Sequence, residues 1–291
     1  MRIRATVAVV SGALALTALA VPAAQADGPS FREEAAAAFA GSHSAPAARS
    51  TFSAAAVIGD LDVSFSGLKV AKAVKVGTTS KVSTTVTYKI KHGAGVDITS
   101  EDFATGPYLY KGSYDEPVNL LFGEYAATCT ATSSTTANCS GKIDIYPADG
   151  ELINSDAGTW KAGALALDYV TEEFADEGGL GSTLLQRTSK LTVNAAPEPV
   201  KKGKTITVTG KLSRANWETN KYAGYTNQSV KLQFRKKSSS TYTTVKTIKT
   251  NSTGNLKTTV TASVDGYYRF NFEGTSTTPA IKAAGDFVDV K

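Results

Sequence analysis

Val82-Ser-Thr-Thr-Val-Thr-Tyr-Lys-Ile-Lys91 is the stretch on which the fold class turns. Val82, Thr84, Val86, Tyr88 and Ile90 alternate with Ser83, Thr85, Thr87, Lys89 and Lys91. Side chains along a strand point to opposite faces in turn, so this order packs one face and wets the other. Wound into a helix, the same residues would scatter their apolar groups around the whole surface. Val, Ile, Thr and Tyr also fit a pleated, half-buried surface better than a helix. The stretch predicts a half-buried strand.

Outward from it, residues 61–65, 107–110, 125–130, 142–146, 159–170 and 184–187 read as further strands. Gly93-Ala94-Gly95 and Ala148-Asp149-Gly150 supply the breaks between them, since glycine and aspartate favour turns. In residues 159–170 the apolar phase slips near Gly163, which predicts a bulge. Beyond residue 190 the same grammar returns. Ile206, Val208 and Leu212 alternate with Thr207, Thr209 and Lys211, and residues 191–193, 230–234, 245–250, 256–262, 267–272 and 287–290 follow. The prolines of Ala196-Pro197-Glu198-Pro199 mark an edge or a linker. About seven short strands in about 100 residues, with nothing long and helical between them, predict an antiparallel sandwich of immunoglobulin type. A weak repeat supports two such units: Val74-Lys-Val-Gly-Thr78 and Val200-Lys-Lys-Gly-Lys204 each place a glycine turn before an alternating Thr/Val strand. The expectation is an all-β chain of two tandem immunoglobulin-like antiparallel β-sandwiches, residues 56–190 and 191–291, after a signal peptide and a flexible spacer.

Residues 1–26 carry the export signal. Arg2 and Arg4 give a basic start, an apolar run extends from Val7 to Val21, and Ala24-Gln25-Ala26 fits small-x-small cleavage before Asp27. The run is shorter than the roughly 20 apolar residues of a spanning helix. No cysteine near the cut offers a lipid anchor, and Val288-Asp-Val-Lys291 shows no sorting motif. A secreted, extracellular protein with no membrane anchor, free or associated with the cell surface, is expected. Residues 27–55 lack a sheet pattern and read as a flexible spacer or propeptide. Within them Ser30-Phe31-Arg32-Glu33 resembles a capping box ahead of a short helix over residues 33–39. Cys129 and Cys139 bracket a polar hairpin-like stretch, and in an oxidising compartment a pair this close in sequence forms a structural disulfide.

Charge divides the mature chain. Residues 27–190 hold 13 Lys/Arg against 20 Asp/Glu, a net of −7, whereas residues 191–291 hold 16 against 6, a net of +10. Either the two halves attract one another or the basic half meets an anionic polymer.

The second unit carries a family resemblance. Asn251-Ser-Thr-Gly-Asn-Leu256, Val260-Thr-Ala262 and Asp265-Gly-Tyr-Tyr-Arg269 resemble the closing strands of bacterial immunoglobulin-like repeats. Ser155-Asp-Ala-Gly-Thr-Trp160 is similar to a Gly-Thr-Trp strand start in related repeats. Over roughly residues 56–291 the chain resembles secreted actinobacterial proteins with tandem domains of that kind. The resemblance implies a fold and an extracellular setting, and no catalytic residues.

Candidate chemistry is sparse. The two histidines are His43, in the spacer, and His92, read as a surface-loop residue. Neither has the carboxylate and the serine on a sharp turn that a nucleophilic triad needs. Zinc wants three or four ligands at recognisable spacing, and none is visible. Glu172, Glu173, Asp176 and Glu177 cluster beside glycines, but without the regular spacing of a calcium loop they read as a solvated acidic loop. Asp149 and Asp156 make a weaker case of the same kind. No catalytic residue, metal or cofactor is expected.

Two features suggest binding. Trp217, Tyr222 and Tyr225 lie in one loop with Asn and Lys, and exposed rings of this kind stack on sugars. The competing reading has Trp217 folded back as a plug at the end of the sandwich. Lys201, Lys202, Lys204, Lys236 and Lys237 form the densest positive groups, with 235–240 at a hairpin tip. They read either as solvated surface or as a site for cell-wall polymers and acidic polysaccharide. Nucleic acid ranks last, because no recognised binding motif accompanies the charge. The functional expectation is therefore a non-enzymatic polymer-binding protein. Its rival is an enzyme inhibitor presenting the Cys129–Cys139 loop.

Overall fold

The computed structural model describes residues 30–43 and 60–291; the signal-peptide reading and most of the spacer lie outside these residues. The described chain opens with helix α1 (Phe31–His43). Nine strands follow: β1 (Val63–Lys69), β2 (Ala73–Val76), β3 (Val82–His92), β4 (Phe103–Gly112), β5 (Pro117–Phe122), β6 (Thr128–Ser133), β7 (Thr136–Ile145), β8 (Gly158–Asp168) and β9 (Glu173–Arg187). They form one sheet in the order β1-β3-β7-β6 and another in the order β2-β9-β8-β4-β5. This is the immunoglobulin arrangement, an ABED sheet against a CFG sheet. The alternation of residues 82–91 is realised in β3, where Thr84, Val86, Tyr88, Ile90 and His92 are buried and the residues between them are exposed.

The second unit contains β10 (Ser189–Leu191), β11 (Asn194–Ala196), β12 (Thr205–Asn216), β13 (Lys221–Gly224), β14 (Ser229–Lys236), β15 (Thr243–Lys249), β16 (Asn255–Thr261), β17 (Gly266–Phe272), β18 (Ile281–Lys282) and β19 (Asp286–Val288). Strand β12 pairs with β10, β11, β13 and β16; the facing sheet runs β15-β14-β17-β18, with β19 also on β17. Ile206, Val208, Leu212, Val230, Leu232, Leu256 and Phe270 fill the space between them. Both units are β-sandwiches of antiparallel sheets, apart from the β2–β9 pair, which is parallel.

The bulge expected at Gly163 is present, since the β8–β9 register shifts between Ala162 and Ala164. A Cβ on Gly163 would lie 2.4 Å from the Tyr108 ring, so the position is open only to glycine.

The spacer reading is corrected for residues 31–43. They form α1, with Phe31, Ala35, Ala38 and Phe39 buried at helical spacing. Those residues pack on the outer face of the five-stranded sheet, against Tyr108, Tyr110, Phe122, Leu165, Leu167 and Phe174. Helix α1 begins with one half of the expected capping box: the Ser30 N–H donates to Glu33 at 3.0 Å, while the Glu33 N–H donates to the Ser30 main-chain carbonyl at 2.9 Å. The Arg32 guanidinium then donates to the carbonyls of Phe122 (2.9 Å) and Asp144 (2.6 Å) and pairs with Glu151. The physical reason lies in the sheet: β4 and β8 are apolar on both faces, and a strand of that kind needs cover on both.

His92 is corrected as well. It is 9% exposed at the end of β3 and bonds the Gly93 carbonyl through Nδ1 at 3.0 Å. His43 sits on the last turn of α1, stacked on Phe39 at 3.9 Å, with Nε2 3.9 Å from Asp176.

Candidate anion-binding cleft and basic-aromatic track

Three turns and the last residues meet at one end of the second sandwich. The Lys202 N–H donates to the Lys291 carbonyl at 2.8 Å, and the Gly203 N–H to the Ala262 carbonyl at 2.7 Å. The Lys237 N–H donates to the Asp265 carbonyl at 3.0 Å. Between them lies a cleft of about 430 Å³ lined by Lys202, Lys236, Lys237 and Lys291, with Ser238 and Ser263 among its hydroxyls. Asp265 is the carboxylate in its lining. One of its oxygens accepts the Val290 N–H at 2.9 Å, and the other lies 3.9 Å from the exposed Lys237 ammonium. A pair this long and this wet neutralises little of the charge.

From the cleft a chain of stacked groups runs along the outer face of the β15-β14-β17 sheet. The Lys237 ammonium lies 5.3 Å from the centre of the Phe287 ring, and Phe287 is 5.1 Å from Tyr267. Arg235 covers Tyr267 at 3.8 Å and reaches Tyr242 at 5.4 Å; Arg269 covers Tyr242 at 3.7 Å. Arg269 Nε donates to Gln233 Oε1 at 2.9 Å, which closes the series. Register explains the order, because Gln233 faces Arg269, Arg235 faces Tyr267, and Tyr267 faces Phe287 across neighbouring strands. Directly opposed residues share a face. Stacking on rings holds the guanidinium planes in place, and Arg235 Nη1 is further fixed by donating to the Ser239 carbonyl at 2.9 Å.

Of the residues expected to bind, Lys236 and Lys237 are therefore at the cleft, both exposed. The aromatic loop is corrected. Trp217 is 1% exposed and belongs to the core of the first sandwich, with its indole N–H donating to the Gly77 carbonyl at 2.9 Å. Tyr225 is buried under Arg214, whose guanidinium lies 3.9 Å from the ring centre. Tyr222 is half-buried, its hydroxyl 2.8 Å from Thr188 and Lys190 over its ring at 3.9 Å. The three do not share a surface on which a sugar could stack. Trp217 is a plug, as the competing reading held, but it plugs the neighbouring sandwich. The aromatic rings beside the basic cleft are instead Tyr242, Tyr267 and Phe287. Alternation could have found Arg235, Tyr267 and Arg269, since each lies on the outward phase of its strand. Tyr242 lies in the β14–β15 connection and had no periodic signal.

Cys129 and Cys139 are bonded and face one another directly across the β6–β7 hairpin. The stretch between them is mostly strand, closed by a turn near Ser134 and Thr135, and it does not project as a loop. In the acidic segment Asp176 accepts from the hydroxyls of Tyr114 (2.6 Å) and Tyr108 (3.4 Å), and Glu177 accepts from the Phe65 N–H at 3.3 Å. Asp176 thus ties β9 to β4 and to the β4–β5 turn, and Glu177 ties it to β1 of the facing sheet. Among the described residues, no helix is long and apolar enough to cross a membrane.

No protein-family model and no curated protein matches the chain. Among solved structures it is similar to dimeric latent PorU from Porphyromonas gingivalis, at 11% identity over 78% of this chain and 20% of that one, with a TM-score of 0.26. It is similar to the adhesin InvE of Yersinia pseudotuberculosis at 13% identity, over 79% of this chain and 60% of that one, TM-score 0.25. The fibronectin(III)-like modules of CbhA from Clostridium thermocellum match at 8% identity, over 77% and 93%, TM-score 0.27. The chain thus spans 20% and 60% of the first two. At such TM-scores the likeness argues for no function, and the fold stands on its own strand order.

Proposed function

We infer that this is a secreted, non-enzymatic protein of two immunoglobulin-like domains, residues 56–190 and 191–291, whose basic second domain binds an anionic polymer of the cell envelope or an extracellular acidic polysaccharide. One observation carries the reading: four lysines line the cleft, and the Lys237–Phe287–Tyr267–Arg235–Tyr242–Arg269 series continues from it along the sheet. A cleft alone would suit a small anion. A cleft that opens onto a row of cations and rings suits a chain whose charges repeat along its length and whose sugar faces stack. Export is supported by the N-terminal sequence and by the Cys129–Cys139 bond, since disulfides persist in oxidising compartments.

The test is retention of the mature protein on immobilised acidic polysaccharide or purified cell wall, against a neutral polysaccharide, over a range of salt. Retention on the acidic polymers should fall as salt rises, because screening weakens contacts between exposed charges. A lysine at a polyanionic surface contributes about 1 kcal/mol. Lys236→Ala with Lys237→Ala should therefore weaken binding about thirtyfold. Absence of retention at low salt, or equal retention on the neutral polymer, would sink the reading.

A further inference from the structure

Lys111 occupies an unusual place. It follows Leu109 on the inward-facing phase of β4, at the mouth of the first sandwich, and lies directly opposite Asn119 of β5. Opposed residues of an antiparallel pair carry their side chains on one face and within reach of each other. The Lys111 ammonium donates to the main-chain oxygen of Asp156 at 2.9 Å and lies 5.9 Å from the centre of the buried Trp160 ring. Loss of water around it holds the Lys111 pKa below its usual value, an effect the Asp156 charge partly offsets.

The partner amide is held as an acceptor for acyl transfer. The Leu120 N–H donates to Asn119 Oδ1 at 2.8 Å, drawing electron density from the amide carbon. The Asn119 nitrogen donates to the Asp156 carboxylate at 3.1 Å and to the Glu151 carbonyl at 2.9 Å. Asp156 is 5% exposed, and its carboxylate also accepts the Ile153 N–H at 2.9 Å. One residue therefore holds the lysine through its main-chain oxygen and the departing nitrogen through its carboxylate.

We propose that Lys111 and Asn119 are a covalent modification site, joined by an amide bond formed between their side chains with Asp156 as proton carrier. The neutral Nζ attacks Cγ of Asn119, and the Leu120 N–H stabilises the oxygen as it gains charge. The Asp156 carboxylate takes the proton lost by Nζ and passes it to Nδ2. The Cγ–Nδ2 bond then breaks and one ammonia leaves. Nothing is oxidised or reduced, and no further reactant is consumed. The product staples the edge strand β5 to β4 in one sheet, as the Cys129–Cys139 bond staples β6 to β7 in the other.

Tryptic mass spectrometry of the purified full chain, reduced before digestion, tests this. Lys91, Lys111 and Lys142 are successive cleavage points, and an acylated lysine is not cut. The expected product is residues 92–142 as one peptide, uncut at Lys111 and lighter by the mass of one ammonia. Lys111→Arg and Asn119→Ala should each restore full mass, and Asp156→Ala should slow or abolish the bond. Cleavage after Lys111 in the unsubstituted protein, or an uncut peptide of full mass, even after prolonged incubation at mildly alkaline pH, would overturn the proposal. The decisive readout is on the unsubstituted chain, so a variant that fails to fold does not blunt it.

Discussion

Tyr88, Tyr108 and Tyr114 are the residues at which burial has its clearest chemical consequence. Desolvation is the main force raising all three phenols above their ordinary value of 10.0; the charge of Asp176 adds to it for Tyr108, and the hydrogen bond to Asp176 for Tyr114. A raised pKa means that the folded state holds the proton more tightly than the unfolded chain does. The associated stability is fully present below pH 10.0 and is lost as pH rises toward the folded values. Spectroscopic titration should show these three phenols ionising above the ordinary value and together with unfolding. Smooth ionisation of every tyrosine near the ordinary value, with the fold intact, would contradict the burial described.

Among the elements, α1 and the β6–β7 hairpin each make a separate claim. Phe39 of α1 is 1% exposed and meets Tyr108, Tyr114 and Phe122 edge-on. Phe39→Ala should cost about 3–5 kcal/mol, the usual range for a large aromatic removed from a core. Denaturant unfolding measures it, and a loss below about 1 kcal/mol would mean that the helix is not docked in solution. The helix was only half legible in the sequence. Its capping box was visible, but its short Ala-rich body has little amphipathic contrast. The stronger signal lay in its receptor: Ala162-Gly-Ala-Leu-Ala-Leu167 is apolar on both phases, which a sheet with one wet face would not be. In the hairpin, β6 is an edge strand held by β7 alone. Replacing both cysteines by serine should lower stability by about 3 kcal/mol, given a sequence separation of 10. An unchanged denaturation midpoint would show that the ladder holds without the bond.

At the scale of the whole molecule the two sandwiches share a core. Strand β9 ends at Arg187 and β10 begins at Ser189, so hardly any chain separates them. Trp217, from the β12–β13 turn of the second sandwich, completes the apolar cluster of the first, and Asn154 bonds Asn216, Trp217 and Glu218 across the junction. Trp217→Ala should therefore destabilise the first sandwich by about 3–5 kcal/mol although it lies in the second. Hydrogen exchange would locate the effect. Loss of protection confined to β12–β19 would argue against the shared core. The opposite net charges of the two halves were a poor guide here, because the described contact at this end is made by an indole and amides rather than by an array of ion pairs.

The sequence by itself determined what depends on local order. Period-two alternation in β3, the phase slip at Gly163, the capping box at Ser30 and the short spacing of Cys129 and Cys139 were each legible without coordinates. Each is a matter of residues near one another in the chain and of which way their side chains must point. Only the tertiary structure decided where Trp217 goes, what covers β4 and β8, and which aromatics stand beside the basic cleft. Those outcomes depend on neighbours far apart in sequence, and a tryptophan in a polar loop looks the same whether it will face solvent or fill another domain. The meeting of Lys111, Asn119 and Asp156 is of the same kind: three unremarkable residues that only strand pairing and one returning turn bring to a single point.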